Sequence, residues 1–318
     1  EEMRFVMRHS APQVLVALPH SGDRSYEAAV TDLAREHSVE HVLSIGDGLG
    51  DRPTVAAWEA AGAGMPDGPR QAARAACGGR RPALLVYTSG STGRPKGALL
   101  THLGLCWTYE RQWRRWGTDP IRMLCNLPMN HLAGIGETCL TPLVGGGTVV
   151  FMERFDPSGV LSEVRARGIN TLLQIPTMFQ LIAAEATFTT DAMSSVEIII
   201  WAGAATPRYL IRRFQELGIR LEGMYGSTEA TVSVCFTDPA ATLDQLAETV
   251  GRPDPELGVR LATADGSPCE LGTTGEIQLR HPAVFAGYLD DPAATSEAFT
   301  ADGYLRTGDL ALQRPDGY

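Results

Sequence analysis

The residues best suited to chemistry lie in a glycine- and hydroxyl-rich stretch, residues 88–97, with the sequence TSGSTGRPKG. Small side chains allow such a backbone to approach a ligand closely. Its hydroxyl and amide groups can donate to phosphate oxygens, and Lys96 adds a positive charge. The apolar runs Ala83–Tyr87 and Ala98–Leu100 flank the stretch, which argues against a flexible linker. The pattern therefore predicts a loop that holds a polyphosphate.

The Walker A loop of kinases and ATPases is the alternative phosphate-binding loop, with the pattern Gly-x-x-x-x-Gly-Lys-Ser/Thr. Counted from Gly90, the position that should be glycine is Pro95. Lys96 is followed by Gly97, so the hydroxyl that would hold magnesium is missing. The sequence therefore disfavours a P-loop kinase or ATPase.

Residues 88–97 instead resemble the signature loop of the adenylate-forming superfamily. Its members include acyl-CoA synthetases, aryl-CoA ligases, luciferases and the adenylation domains of peptide synthetases. The resemblance implies that the loop binds the phosphates of ATP through Thr88, Ser89, Gly90, Ser91, Thr92, Gly93 and Lys96.

Two further segments resemble parts of the same family that border the acid. Asn126–Gly134 reads NLPMNHLAG, and the resemblance places His131 near the acyl carboxylate and the phosphate, although a buried core histidine is the alternative. The family has an aromatic residue where this chain has Asn130. Trp201–Pro207 reads WAGAATP, a strand end whose small residues could border the adenine and the acid or simply form a tight turn. The residues assigned there are Gly203, Ala204 and Ala205.

The segment Met224–Thr231, MYGSTEAT, resembles the family's Tyr-Gly-x-Thr-Glu motif. The resemblance implies that Tyr225 stacks on adenine and that Thr228 bonds a phosphate oxygen. Glu229 is a hard oxygen ligand suited to Mg²⁺, with Thr88 as a second candidate ligand. Nucleotide contacts are also expected from Gly223, Met224 and Gly226. The residues expected to take part in catalysis are Lys96, His131, Thr228 and Glu229.

Tyr304–Asp309, YLRTGD, matches a later family motif. A carboxylate is a natural acceptor for two ribose hydroxyls, so Asp309 is expected to bind the ribose, a simple Gly-Asp turn being the alternative. The nearby pairs Gly275-Glu276 and Gly287-Tyr288 also resemble the family and are interpreted as structural.

Composition sets broad bounds. The chain has 318 residues, 44% of them hydrophobic, and a net charge of −10, which argues against a nucleic-acid partner. No apolar run is long enough for a membrane span, and no secretory signal is visible at the start. The six scattered cysteines form no Cys-x-x-Cys pair, which argues against a zinc site or a disulfide framework. A cytoplasmic location is expected.

Strand and helix patterns alternate, which predicts an α/β fold of stacked, parallel-rich sheets covered by helices. A helix between Thr206 and Gly218 is predicted, with Thr206 as its cap and with Leu210, Phe214 and Leu217 on its apolar face. Gly46–Arg81 is predicted to be a surface connection with a short helix around Val55–Ala61. After residue 238 shorter runs such as Val259–Ala262 predict a smaller antiparallel, barrel-like subdomain, giving domains 1–238 and 239–318. The predicted strands are Gln13–Leu18, His41–Ile45, Met123–Leu127, Thr148–Met152, Thr171–Ile175 and Val196–Trp201.

The resemblance implies ATP-dependent activation of a carboxylic acid to an acyl-adenylate, with Mg²⁺, followed by transfer to CoA. The family's earlier N-terminal part and its C-terminal domain, which carries a second lysine, have no counterpart in these residues, so turnover by this chain alone is not expected. Apolar residues at Ile135, Leu140 and Leu143 favour a fatty, aryl or alicyclic acid. The alternatives are an amino-acid adenylation domain and a fragment that binds nucleotide without catalysis.

Overall fold

The computed structural model describes residues 1–88 and 94–318, with Val232 described by its backbone alone. Ser89, Gly90, Ser91, Thr92 and Gly93, predicted to bind phosphate, lie outside the described residues. The contacts divide the chain into two units, Glu1–Gly78 and Gly79–Tyr318, and each is described by itself. The predicted boundary at residues 238/239 falls inside the second unit and stays a prediction.

The first unit contains a two-stranded parallel sheet in which β1 pairs with β4, Val14 opposite His41. These strands confirm the two apolar runs predicted there. The helix between them buries Val30 and Leu33, which lie three residues apart on one side of the helix. Its elements are α1 (Glu2–Ser10), β1 (Val14–Ala17), β2 (His20–Ser21), β3 (Arg24–Ser25), α2 (Glu27–Glu36), β4 (His41–Ser44), α3 (Val55–Gly62) and α4 (Asp67–Ala76).

The predicted surface connection after β4 is more helical than its composition indicated. The short helix is confirmed as α3, whose first turn is capped by the side chain of Thr54. The helix α4 was not predicted, because this stretch is rich in glycine, alanine, proline and charged residues and was interpreted as a connection. None of its residues is buried, and its sequence contains alanines but no large hydrophobic residue that would mark a core-facing side.

The second unit holds the larger sheet and all the predicted site residues. In chain order its elements are β5 (Pro82–Thr88), β6 (Lys96–Thr101), α5 (His102–Trp116), β7 (Arg122–Cys125), a π-helix (Ala133–Leu140), α6 (Thr141–Val144), β8 (Thr148–Phe151), α7 (Pro157–Arg167), β9 (Thr171–Gln174), α8 (Pro176–Ala184), β10 (Ile198–Trp201), α9 (Arg208–Gln215), β11 (Arg220–Ser227), β12 (Val232–Phe236), α10 (Leu243–Glu248), β13 (Arg252–Pro253), β14 (Gly258–Ala262), β15 (Gly275–Arg280), α11 (Pro292–Ala298) and β16 (Leu305–Ala311).

The central sheet has seven strands in the order β13-β12-β11-β10-β9-β7-β8. The strands β8, β7, β9, β10 and β11 run parallel, and β12 and β13 add antiparallel pairs at one side. Every residue of β9 and β10 is buried, as expected of parallel strands covered on both faces. The predicted parallel-rich α/β fold is therefore confirmed. None of the described helices has both the length and the apolar content needed to cross a membrane.

The helix α9 confirms the predicted apolar face, because Leu210 and Phe214 are fully buried. The predicted cap is wrong: Pro207 occupies the N-cap position, and the buried hydroxyl of Thr206 has no hydrogen-bond partner. Because Pro207 takes the N-cap position, Thr206 lies one residue further from the helix. Its hydroxyl therefore does not reach the amides of the first turn. Gly218 follows in the left-handed conformation, in line with the predicted end.

Beyond β13 the chain forms an antiparallel sheet of three strands, β14-β15-β16, which contains the predicted short runs. Its inner residues, among them Ile277, Leu279 and Leu305, pack against Val86 and Leu100 of the β5–β6 hairpin in one hydrophobic cluster. This shared cluster holds β16, with Asp309, to the same body as the hairpin that carries Lys96.

Candidate active site

The β5–β6 hairpin presents the predicted phosphate loop, because Thr88 and Lys96 are paired at the end of its two strands. The outer edge of β6 is also paired. Leu99 donates its amide to the carbonyl of Gly287 at 3.0 Å, and Leu289 donates to Gly97 at 2.8 Å. The strand that begins at Lys96 is therefore held on both edges, which fixes the backbone from which this side chain extends.

Glu229 receives two hydroxyl groups on the same carboxylate oxygen. Thr88 Oγ1 donates to Glu229 Oε1 at 3.3 Å, and Tyr288 Oη donates to it at 2.9 Å. Across the described residues no arginine, lysine or histidine forms an ion pair with this half-buried carboxylate. An uncompensated carboxylate beside a hydroxyl is a donor set that fits Mg²⁺, which prefers hard oxygen ligands. The structure thus brings together Thr88 and Glu229, the predicted metal ligands.

Lys96 lies over the ring of Tyr288, with Nζ 5.1 Å from the ring centroid. This is a cation–π contact, and in the described part of the chain Lys96 makes no ion pair with a carboxylate. Its charge is therefore not cancelled by a protein anion. A cation and a carboxylate are thus placed around one tyrosine, next to the phosphate loop.

Tyr288 is the functional residue that the sequence interpretation missed, since the Gly287-Tyr288 pair was taken as structural. Burial, together with the charge of Glu229, raises the pKa of its hydroxyl above the usual value. The phenol therefore stays protonated and donates to the carboxylate. A tyrosine 59 residues from Glu229 carries no sequence signal for this contact.

Tyr225 and Asp309, predicted to bind adenine and ribose, are also brought together. Tyr225 Oη donates to Asp309 Oδ2 at 2.6 Å, joining the end of β11 to β16. Burial and then the bond to Asp309 raise the pKa of the Tyr225 hydroxyl, so it remains a donor. Asp309 is exposed and has one carboxylate oxygen not engaged by this bond. The pair offers a ring and a carboxylate at one place, as a nucleoside requires.

The remaining residues of the β11 motif differ in exposure. Gly223 and Met224 are buried, and the amide of Gly223 donates to Thr237 Oγ1 at 2.8 Å. Gly226 is exposed beside a β-bulge, and Thr228 is half-buried. This burial leaves Gly223 and Met224 little surface for contact with a nucleotide. The nucleotide roles of all four residues stay predictions.

His131 and the segment Gly203–Ala205 follow the carboxyl ends of β7 and β10. Ligands bind at this edge in parallel α/β sheets. His131 is exposed rather than a core histidine, and its Nδ1 accepts the amide of Ala133 at 3.2 Å. Gly203–Ala205 are exposed as well. Among the described contacts, none joins these residues to Glu229 or Lys96, so their roles stay predictions.

Glu137, the acid in the segment after His131, points away from solvent. It is buried in the π-helix, where it accepts hydrogen bonds from Gln112 Nε2 and, at 3.5 Å, from Ser233 Oγ. Burial raises its pKa to about 7. The carboxyl is thus occupied within the core and does not supply an exposed anion for a substrate amine.

The raised pKa of Glu137 predicts a pH-dependent stability. Between the unfolded value of 4.5 and the folded value of about 7, the folded protein binds more protons than the unfolded chain. The free energy of unfolding should therefore fall as pH rises through this window, by roughly 3 kcal/mol. Glu137→Gln should flatten this dependence in urea unfolding between pH 5 and pH 8, whereas the exposed control Glu216→Gln should retain it. An unchanged slope in Glu137→Gln would contradict the assignment.

The chain is similar in sequence to known enzymes of one family. Residues 1–289 match the sequence profile described as AMP-binding enzyme. A feruloyl-CoA synthase from Amycolatopsis sp is 39% identical over 238 residues, covering 74% of this chain and 48% of that protein. A sulfoacetate–CoA ligase from Cupriavidus necator is 33% identical over 320 residues, covering 100% of this chain and 59% of that protein.

Solved structures show the same fold. The amide bond synthetase McbA from Marinactinospora thermotolerans superposes with a TM-score of 0.82 at 27% identity, covering 99% of this chain and 61% of that chain. A protein described as a putative long-chain-fatty-acid CoA ligase from Rhodopseudomonas palustris gives a TM-score of 0.82 at 26% identity, covering 100% of this chain and 75% of that chain. The chain spans about half the length of the CoA synthase and ligase relatives it matches. On its sequence and its fold, it belongs to the AMP-binding enzyme family, the adenylate-forming superfamily.

Proposed function

We propose that the protein containing this chain activates a carboxylic acid with ATP and transfers the acyl group to CoA. The observation that supports the proposal is the arrangement around Tyr288, which contacts both Lys96 and Glu229, the latter also accepting from Thr88. Neither charged residue has an ion-pair partner among the described residues. Two opposite charges at such a place suit a metal–triphosphate complex. The names of the relatives support CoA as the acceptor.

The reaction has a clear electrostatic demand. The substrate carboxylate attacks the α-phosphorus of ATP, the bond to the β-phosphate breaks, and pyrophosphate leaves. The thiol of CoA then attacks the acyl carbon, and AMP leaves with the electrons of the broken C–O bond. Because the first step joins two anions, positive charge and hydrogen-bond donors must already surround the phosphates.

Each residue has a proposed part in meeting that demand. Lys96 and the hydroxyl of Thr228 bind phosphate oxygens, and Glu229 with Thr88 would hold Mg²⁺. When bound, Mg²⁺ supplies positive charge next to the phosphate oxygens. Tyr225 contacts adenine and Asp309 the ribose hydroxyls. His131 lies near the reacting carboxylate.

For the acid we propose an aryl or other largely apolar substrate. Two relatives act, by their names, on the aryl acids ferulate and indoleacetate, the second being a ligase from Aromatoleum aromaticum that is 32% identical over 243 residues. The sulfoacetate relative acts, by its name, on a polar acid and does not support this choice. Ile135 and Leu140 are half-buried against an apolar cluster. Leu143, predicted to lie with them on the side of the acid, is exposed and is not included in the proposed apolar surface. Because Glu137 is buried, the acidic residue of this segment is not available to bind a substrate amine.

The test is an acid panel. The complete protein is incubated with ATP, Mg²⁺ and CoA and with aryl, fatty, sulfonated and amino acids, and AMP and acyl-CoA are measured. Acyl-CoA formation with aryl acids is expected. Activation of amino acids alone would overturn the choice of acid, and release of free phosphate from ATP would instead indicate a kinase or ATPase. Calorimetric binding of ATP with no AMP formed for any acid would support the alternative of a nucleotide-binding fragment.

Tyr288→Phe gives a prediction for the residue that sequence interpretation missed. The variant keeps the ring under Lys96 but removes the hydroxyl that donates to Glu229. Loss of one such bond should lower acid-dependent exchange of pyrophosphate into ATP about tenfold. Tyr209→Phe, an exposed tyrosine on α9, is the matched control. Wild-type exchange in Tyr288→Phe would show that the hydroxyl does not position Glu229.

A further inference from the structure

Three sulfur atoms meet between β7 and the π-helix. Cys125 Sγ lies 3.5 Å from Cys139 Sγ and 3.6 Å from Met129 Sδ, and Cys139 Sγ lies 3.8 Å from Met129 Sδ. Because the two cysteines are 14 residues apart in the sequence, their spacing alone does not predict this group. We call Cys125, Met129 and Cys139 the sulfur triad.

The spacing of the sulfur triad suits a metal. Atoms 3.5, 3.6 and 3.8 Å apart surround a point about 2.1 Å from each, close to the ~2.3 Å of a zinc–thiolate bond. Small movements of the side chains would give three bonds of that length. The three atoms can therefore act as ligands without rearrangement of the strand or the helix.

The identity of the donors selects the metal. Two thiols and a thioether are soft ligands, which favour Cu(I) over Mg²⁺ or Ca²⁺. A structural zinc site needs four ligands, and in the described part of the chain no third cysteine, histidine or carboxylate joins the two thiols. The sulfur triad can therefore bind a metal ion with three soft sulfur ligands.

The surroundings of the sulfur triad allow a metal ion to enter and to be retained. The two cysteines are buried, at 2% and 5% exposure, whereas Met129 is 45% exposed. The thioether therefore stands at the surface, over a pair of protected thiols. The π-helix that carries Cys139 is a rare geometry often found at functional sites.

We infer that the sulfur triad is a binding site for one soft monovalent cation, Cu(I). Binding releases the two thiol protons to solvent, and the metal keeps its oxidation state. The site is separate from the proposed Mg²⁺ ligands Thr88 and Glu229, so its test does not depend on the proposed function.

The experiment titrates Cu(I) into the reduced protein, with oxygen excluded, against a chromophoric Cu(I) chelator. One equivalent should bind. Cys125→Ser and Cys139→Ser should each weaken binding by roughly 100-fold, and Met129→Leu by roughly tenfold. Cys106→Ser, at the surface, and Cys235→Ser, in the core, are controls that should bind as the wild type does.

X-ray absorption at the copper edge gives the second readout, with three sulfur neighbours expected in the wild type and two in Met129→Leu. Met129→Leu alters an exposed side chain and should fold, so the test holds even if a cysteine variant unfolds. Wild-type affinity in Met129→Leu, retention of the site in either cysteine variant, or nitrogen or oxygen neighbours in the wild type would each overturn the inference.

Discussion

Glu229→Gln is expected to lower acid-dependent exchange of pyrophosphate into ATP by about 100-fold, the size typical of losing one preorganised electrostatic group. The glutamine keeps the shape of the side chain and can still accept from Thr88 and Tyr288. It removes the negative charge that, without an ion-pair partner among the described residues, is available to a metal. The variant therefore isolates charge from shape.

The dependence on magnesium separates a metal ligand from a structural role. If Glu229 holds Mg²⁺, Glu229→Gln should need more Mg²⁺ for half-maximal exchange, and added metal should restore part of the rate. Glu216→Gln, at an exposed position away from the site, should match the wild type. An unchanged Mg²⁺ requirement in Glu229→Gln would contradict the assignment, whatever the exchange rate of the variant.

Local patterns predicted the architecture well. Short apolar runs rich in β-branched residues, such as Ile198–Trp201, became the buried parallel strands. The helix α9 followed from Leu210 and Phe214 at helical spacing. These features are set by residues close in sequence, so a pattern is enough. The helix α4 was not predicted, because none of its residues is buried and no large hydrophobic residue marks one side of it.

The site was predictable only as a set of motifs. Each motif named its own residues, Thr88 and Glu229 among them, but not the bond between residues 141 positions apart. Tyr288 acts through side-chain atoms that reach another motif, and the sulfur triad depends on a turn of π-helix. Contacts of this kind arise from tertiary packing, which spacing along the chain does not encode.

Lys96→Ala should also lower pyrophosphate exchange by about 100-fold, because it removes a preorganised positive charge from the phosphate loop. Among the 27 lysine and arginine residues of this chain, Lys96 is the only lysine. A lysine is a compact point charge, whereas arginine is a planar fork, so Lys96→Arg should recover the charge but only part of the rate. Equal loss in both variants would show that size and not charge matters.

The single lysine also allows a direct test of ligand contact. Within these 318 residues Lys96 is the only side chain with an amine, so peptide mapping can follow its modification by an amine-reactive reagent. Lys96 lies over the ring of Tyr288 without an ion-pair partner in the described residues, so it should react in the free protein. ATP with Mg²⁺ should protect it, because phosphate oxygens that bind the ammonium shield it from the reagent. AMP, which lacks the β- and γ-phosphates, should protect less. Equal labelling with and without ATP would place Lys96 away from the triphosphate.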